Sequence, residues 1–584
     1  MLLSRVFLMS AIGLIAGCTD QSAEPMDGAV SPDAVVAQTE AAGPLFEWFE
    51  YQGNDAVFET ALGPDEYRNP ILAGYYPDPS VVAVGDDYYM VNSTFGFYPG
   101  IPVFHSQDLV HWEQLGNAID RPDMMPFDGL HLGYNGVYAA TIDHNDGTFY
   151  IANTCVACGG NFVLTADDPA GPWSDPIWLP HIPGIDPSFF FDDDGRVFIV
   201  HHGDPADKQY EANTALWVMQ VDPVTFAPLS EDVMLVDGGA DPDDPQEYNE
   251  GPHIYKHDGR YILSAPEGGT GYKHKQLVYA ADDVFGPYTP YEGNPILTQL
   301  GLPDDRPNPV TATGHADIFQ DAAGDWWAVF LAARPYDLAT PPQDPGRFHT
   351  GRETFMLPVT WQDGWPLIMT DEAVPYAVKK PNLPEVKLGS RPLTGNFTVR
   401  DEFDGEALGP EWLFVRTPHD EWWSMNEGTL SITPRPEKMG MKQQPSFVGR
   451  RVQHMTASAT TKMLFSPSAG EEAGMAAIQN SEHFYKFGVS QEGDTSQLIV
   501  RRRKGADSAE AGDVITTLDI DLAEGAPIFL RMSIDKADLD FAYSLDGETY
   551  TTMLNDADAS VLTTAVAGGF TGAVIGMYAE KDAP

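Results

Sequence analysis

From about residue 78 the chain alternates short apolar runs with polar turns, and the alternation repeats. The segments are DPSVVAVGDDYYMV from Asp78, YAATIDHNDGTFYIA from Tyr138, DPSFFFDDDGRVFIV from Asp186, EGPHIYKHDGRYIL from Glu250 and HADIFQDAAGDWWAVF from His315. Each holds an apolar run, a Gly- or Asp-rich turn and a second apolar run, which is the pattern of a β-hairpin. The first strong apolar residue after the turn comes 10 or 11 positions beyond the lead residue, and the units start 48–65 residues apart. Each unit holds further strand-like segments, among them PVFHSQDLVHWEQL and ALWVMQVDP. Five such units, with few helical patterns, predict a five-bladed β-propeller over residues 45–378.

Residues 379–398 are punctuated by proline and read as a linker. Beyond them the period is again near two, in GTLSITPRP, FYKFGVSQEGDTSQLIVRRR and IFLRMSIDKADLDFAYSLDGETY. This predicts an antiparallel β-sandwich over 399–584 and an all-β chain throughout.

Charge narrows the class of partner. Asp and Glu number 86 against 33 Lys and Arg, a net charge of −53, which argues against nucleic acid or an anionic membrane surface. The first 18 residues, MLLSRVFLMSAIGLIAGC, hold one basic residue and an apolar run too short for a comfortable membrane span. LIAGC resembles a bacterial lipobox. The resemblance implies a lipoprotein signal peptide over 1–18, lipidation at Cys18, and contact with the membrane only through that anchor. Thr19 after the cysteine favours the outer membrane. Ordinary cleavage nearby would leave a periplasmic protein. Residues 19–44, small, polar and acidic, read as a flexible tether. The remaining cysteines, Cys155 and Cys158, lie in TCVACGGNF. Two ligands do not make a zinc site, and Gly-Gly stands where a thioredoxin-like motif needs a helix. A local disulfide and a pair of free thiols both fit.

If the five lead residues open the innermost strands, they share one level around the central channel. Asp78, Asp186 and Glu250 then converge, with Tyr138 and His315 beside them. Carboxylates gathered away from water are costly unless paired or used. Two acids across a cleft are the equipment of glycoside hydrolysis, one protonated and one ionised. Glu250, with the longer arm and the higher reference pKa, is expected to be the acid. Asp78 is expected to be the base, and Asp186 the group that orients Glu250 and holds its proton by like-charge repulsion. The aromatics Phe95, Phe97, Tyr98 and Tyr138 fit a sugar-stacking wall or a strand core equally well.

Taken in order, YYPDPS, GIDPSFFFDDDGR, NEGPHIYKHDGRYIL, APEGGTGY, TGHADIF and GRETFMLPVTWQDGWP resemble the serial motifs of family 43 glycoside hydrolases over residues 66–375. The resemblance implies a five-bladed propeller and inverting hydrolysis of xylan, arabinan or related glycans. It places the general base on Asp78, the pKa-modulating acid on Asp186 and the general acid on Glu250. It also places the glycone-binding arginine on Arg352 and the channel histidine on His315. Many relatives carry Trp-Ala-Pro where this chain has YAAT, so Tyr138 stands in for the usual tryptophan. The C-terminal domain resembles the concanavalin-like domain of family 43 β-xylosidases, a loop of which closes one side of the pocket. Phe570, in GGFTGAVIG, takes the place of the aromatic plug. A closed pocket implies exo action: release of D-xylose from xylo-oligosaccharides, with α-L-arabinofuranosidase activity, or both activities together, as the alternative. The reading of a different class is a non-catalytic glycan-binding lipoprotein, which would not need three intact acids. No cofactor is required. Ca²⁺ would have a place near the channel, through water at His315, or in the sandwich domain.

Overall fold

The computed structural model describes residues 43–240, 247–338, 346–389 and 391–583. Cys18 and the expected signal and tether segments up to residue 42 lie outside the described residues.

Five antiparallel blades follow one another along the chain. Blade I is built from strands Ser80–Val84, Asp87–Val91, Gly100–Ser106 and Glu113–Ile119. Blade II has Thr141–Asn145, Thr148–Val156, Gly160–Ala166 and Ile177–Trp178, with Gly136–Val137 added beside Thr148–Val156. Blade III runs from Ile185–Phe191 to Val233–Asp237, blade IV from His253–His257 to Thr289–Pro290, and blade V from Thr311–Gln320 to Trp365–Leu367. Cys155 and Cys158 are joined as a disulfide across the turn between two blade II strands.

The first strands of blades I to IV lie against one another in turn, and the first strand of blade V lies against the middle strands of blade IV and returns to the first strand of blade I. One set of side chains stitches this ring. Ser80 Oγ donates to Asp317 Oδ2 at 2.8 Å, and Ile142 N donates to Ser80 Oγ at 3.1 Å. Thr141 Oγ1 donates to Pro187 O at 3.0 Å, Ser188 Oγ to Pro252 O at 2.5 Å, and Tyr255 OH to Asp317 Oδ1 at 2.8 Å. Every pair of adjacent blades is thereby joined by a buried or part-buried hydrogen bond, each worth about 1 kcal/mol net and more expensive to leave half-made. Apolar layers such as Val81, Phe104 and Val329, or Phe198, Leu216 and Leu263, fill the space between blades.

The remainder forms a two-sheet sandwich. Its core draws on both sheets through Met475, Phe487 and Met577 on one side and Leu530 and Phe541 on the other, all at 0% exposure. Two strands cross the expected domain boundaries. Leu45–Gly53, expected at the start of the propeller, pairs with Thr456–Leu464 inside a sandwich sheet. It buries Phe46, Phe49 and Tyr51 there. Its in–out alternation suits any half-buried sheet, so the pattern could not name its partner. Phe97–Tyr98, from blade I, pairs with Leu413–Val415 at the edge of the other sheet.

Buried arginines lock the two halves together. Arg334 of blade V bonds Glu353 through two nitrogens and Asp55 at 2.8 Å, and reaches Gln453 O at 3.3 Å. Arg416 of the sandwich is fully buried and donates to Leu130 O, Met441 O, Gln443 O and Ser481 Oγ. Arg334 is neutralised by two carboxylates, whereas these acceptors of Arg416 are all neutral and burial lowers its pKa to about 10.

Candidate active site

Pairing with the second strand of each blade gives the five first strands a common count. Ser80, Thr141, Ser188, His253 and Asp317 lie opposite Val91, Ala152, Val200, Ser264 and Val329. Two positions earlier stand Asp78, Ala139, Asp186, Gly251 and His315. By this count Tyr138 and Glu250 stand one residue ahead of Asp78, Asp186 and His315, and the pairing is irregular just before Ser188 and Asp317. A Cβ at residue 251 would fall 2.6 Å from both Cε1 and Nε2 of His315, so the ring of blade V occupies the space that a side chain in register on blade IV would need. Asp78, Asp186 and His315 all have φ of 52–54°, in the left-handed region. For non-glycine residues this costs on the order of 1–3 kcal/mol each, and such strain clusters at functional sites.

Despite the offset, Asp78, Asp186 and Glu250 line one cavity of about 320 Å³. Its wall also carries Phe95, Tyr138, Ala139, Ile185, Tyr248, Gly269, Thr270, His315, Arg352 and Phe570. Asp78, Asp186, Glu250, Arg352, His315, Phe95, Tyr138 and Phe570 are brought together there, whereas Phe97 and Tyr98, offered as stacking aromatics, pack in the core at the edge of a sandwich sheet. Among the described residues no cluster of three or more His, Cys, Asp or Glu side chains is arranged to hold a metal ion.

The three acids have different environments. Asp78 accepts from Arg352 Nη1 at 2.8 Å on one oxygen and from Ser93 Oγ at 2.5 Å on the other. Burial alone would raise its pKa, but Arg352, His315 and the Ser93 hydrogen bond outweigh burial and hold it below the ordinary carboxylate value. Glu250 has no such partner. Burial first, then repulsion from Asp78, push it up to about 7, with Arg352 opposing. Asp186 is pushed well above the carboxylate range by burial, then by Glu250 and Asp78. Its Oδ2 accepts from Gly251 N at 3.2 Å, which ties it to the residue after Glu250. The pocket therefore sets an Asp78 that favours its ionised form against two carboxyls whose hold on their protons is strengthened. His315, with Nδ1 3.9 Å from Asp78 Oδ1, is driven down to about 4 chiefly by burial and is neutral at pH 7.

The backbone of Glu250 is gripped from both sides. Glu250 N donates to Pro266 O at 3.1 Å. Thr214 Oγ1, from blade III, donates to Asn249 O at 3.2 Å and accepts from Asn249 N at 2.8 Å.

An aromatic wall faces the acids. Phe570 stacks on Phe95 with centroids 5.5 Å apart and meets Tyr138 edge-on at 5.8 Å. Arg352 lies within 6 Å of both the Phe95 and Phe570 rings, a cation–π geometry. Phe570 belongs to the sandwich, and its loop is pinned to the propeller: Phe570 N donates to Gly133 O at 2.9 Å and Ala573 N to His349 O at 2.7 Å.

Sequence reasoning missed Ser93, Thr214 and Tyr248. Ser93 and Thr214 had no motif to mark them, and Tyr248 stands two residues before Glu250 in an otherwise unremarked stretch.

Comparison with known proteins places the chain in a family. The family model described as "Glycosyl hydrolases family 43" matches residues 67–366, and "Beta xylosidase C-terminal Concanavalin A-like domain" matches residues 400–583. The chain is 35% identical over 528 residues to a non-reducing end alpha-L-arabinofuranosidase of Bacteroides ovatus, covering 89% of this chain and 92% of that one. It is 35% identical over 530 residues to a xylosidase/arabinosidase of Butyrivibrio fibrisolvens, covering 88% and 96%. A solved GH43_12 structure retrieved from capybara gut metagenome aligns with a TM-score of 0.84 and 35% identity, over 93% of this chain and all of that one. A xylan beta-1,4-xylosidase from Bacillus halodurans aligns with a TM-score of 0.78 and 28% identity, over 88% and 97%.

Proposed function

We propose, from the premise that the chain belongs to glycosyl hydrolase family 43 and is a glycoside hydrolase, that it acts from chain ends with inversion and releases D-xylose from xylo-oligosaccharides by single displacement. The observation that carries this reading is the convergence of Asp78, Asp186 and Glu250 on one pocket, where Arg352 and Ser93 hold Asp78 low and burial raises Glu250. Asp78 takes a proton from a water molecule, whose oxygen attacks the anomeric carbon. Glu250 gives its proton to the glycosidic oxygen as that bond breaks on the opposite face. Each proton transfer is worth about 10²–10⁴ in rate. Inversion requires room for the water between base and sugar, so the two carboxyls stand about 6.5–9.5 Å apart in inverting enzymes. Arg352 keeps Asp78 ionised and, with Phe95, Tyr138 and Phe570, forms the wall against which one sugar is held. The plug from the sandwich supports exo action because it closes the pocket behind that sugar.

α-L-Arabinofuranosidase activity is the second reading, favoured by the names of the Bacteroides and Butyrivibrio relatives. A proton NMR time course with xylobiose and with an arabino-oligosaccharide separates the two and reports the anomer released. Xylose appearing first as the α-anomer supports the primary reading. Arabinose alone would replace it with the second. Failure to cleave either, with xylan still bound, would leave a glycan-binding protein.

Anchoring in the cell envelope through Cys18 belongs to the same proposal and rests on the LIAGC sequence. A Cys18→Ser chain recovered in the soluble fraction, against a membrane-bound parent, is its expected result.

A further inference from the structure

The propeller side of the pocket mouth carries one aromatic ring that the mechanism above does not use. Tyr248 lines the same cavity as the three acids, yet it is 47% exposed, whereas Phe95 is 2% exposed. Its φ of 53° is left-handed, an outlier for a bulky residue. The strain is held in place from its own blade and the next. Tyr248 N donates to Ala212 O at 3.2 Å, Gly268 N to Glu247 O at 2.7 Å, and Lys273 pairs with Glu247 at 3.0 Å. One part of the ring rests on Gly269, where an added Cβ would come 3.2 Å from Cδ2. A strained, pinned and half-exposed aromatic ring has a surface left to offer.

The chemistry of the site says what it offers that surface to. Water is activated at Asp78, from blade I, and the leaving group departs on the opposite face, beside Glu250. Glu250, Tyr248, Gly269 and Thr270 all belong to the blade IV region of the wall. The enclosed aromatics Phe95 and Phe570 lie with Arg352, which bonds Asp78. The enclosed side thus holds the sugar that is released, and the open side holds what it was attached to.

We propose that Tyr248 is the stacking platform for the leaving-group sugar, so that the site prefers a saccharide to a small leaving group. This rests on the glycosidase reading above. The apolar C–H face of a second pentose would lie on the exposed part of the ring and bring its glycosidic oxygen to Glu250. Tyr248 then acts on specificity and takes no part in proton transfer.

The test compares kcat/KM on a disaccharide and on the matching glycosyl fluoride, which has no second sugar to stack: xylobiose with β-D-xylosyl fluoride, and the corresponding arabinose pair. Tyr248→Asn removes the ring while tolerating left-handed backbone, and Tyr248→Phe keeps the ring. The expected result is that Tyr248→Asn loses about tenfold more on the disaccharide than on the fluoride, the scale of one good aromatic contact. Tyr248→Phe should stay near the parent on both, and Tyr248→Asn should melt no lower than the parent. Equal losses on the two substrates, or no loss on the disaccharide, would overturn the proposal. A parent enzyme that cleaves neither substrate would overturn the glycosidase reading, and the proposal with it.

Discussion

Gly251→Ala is the substitution whose cost can be worked most directly from the structure. It adds one methyl group at a position where two separate penalties apply. With φ of 51°, the backbone is left-handed, which for an alanine costs about 1–2 kcal/mol. The new Cβ would also lie 2.6 Å from two atoms of the His315 ring. Overpacking of that kind typically costs about 1–3 kcal/mol. Together the variant should lose about 2–5 kcal/mol of stability, visible as a fall of several degrees in the melting temperature. The catalytic effect should be larger. The ring must shift away from residue 251, and it faces Asp78 at 3.9 Å. Glu250, the neighbour in sequence, is displaced by the same strain. A misplacement of about 1 Å at a reacting group costs on the order of 10²-fold in rate. The assay is kcat/KM on an aryl pentoside at a temperature where both proteins remain folded. His315→Ala supplies the control: with the ring removed, adding Gly251→Ala should cost much less than it does in the parent, a coupling that a double-mutant cycle measures. Parent-like kcat in the single variant, or the same loss with and without the ring, would refute the argument that His315 dictates glycine at 251.

The pH profile of kcat/KM should be bell-shaped, with limbs set by the two environments. Asp78 works ionised and is held low, so activity should persist to the acid side of the ordinary carboxylate range and fall only below it. Glu250 works protonated, so activity should fall as pH rises through about 7. A basic limb near 5 would contradict the raised pKa. Phe570→Ala removes the plug that stacks on Phe95 and meets Tyr138 and Tyr134. It should raise KM about tenfold or more with a smaller change in kcat, and an unchanged KM would show that the sandwich does not shape the sugar site.

The blades were legible because each hairpin writes its own signal: an apolar run, a Gly- or Asp-rich turn, and a second run at fixed spacing. Asp78 and Asp186 were legible for a related reason, since Asp-Pro-Ser opens the same strand twice. Glu250 was legible from the same hairpin spacing, as the lead residue of EGPHIYKHDGRYIL, although no Asp-Pro-Ser marks it. The strand Leu45–Gly53 was assigned to the wrong domain because alternation reveals which face is buried and not which sheet supplies the neighbour. Its partner, Thr456–Leu464, lies some 400 residues away. Tyr248 was invisible for a different reason. Its mark is a backbone angle and a half-exposed ring, and neither is written in residue type.

The account rests on Glu250 holding a proton for the departing oxygen, and leaving-group dependence tests that most directly. Glu250→Ala should lose at least 10²-fold in kcat on xylobiose or an arabino-oligosaccharide, whose alkoxide leaving group needs the proton. On a dinitrophenyl pentoside, whose leaving group departs without protonation, it should retain most of its activity. Equal losses on both substrates would contradict the assignment of Glu250 as the acid and the pairing of the three carboxylates built on it.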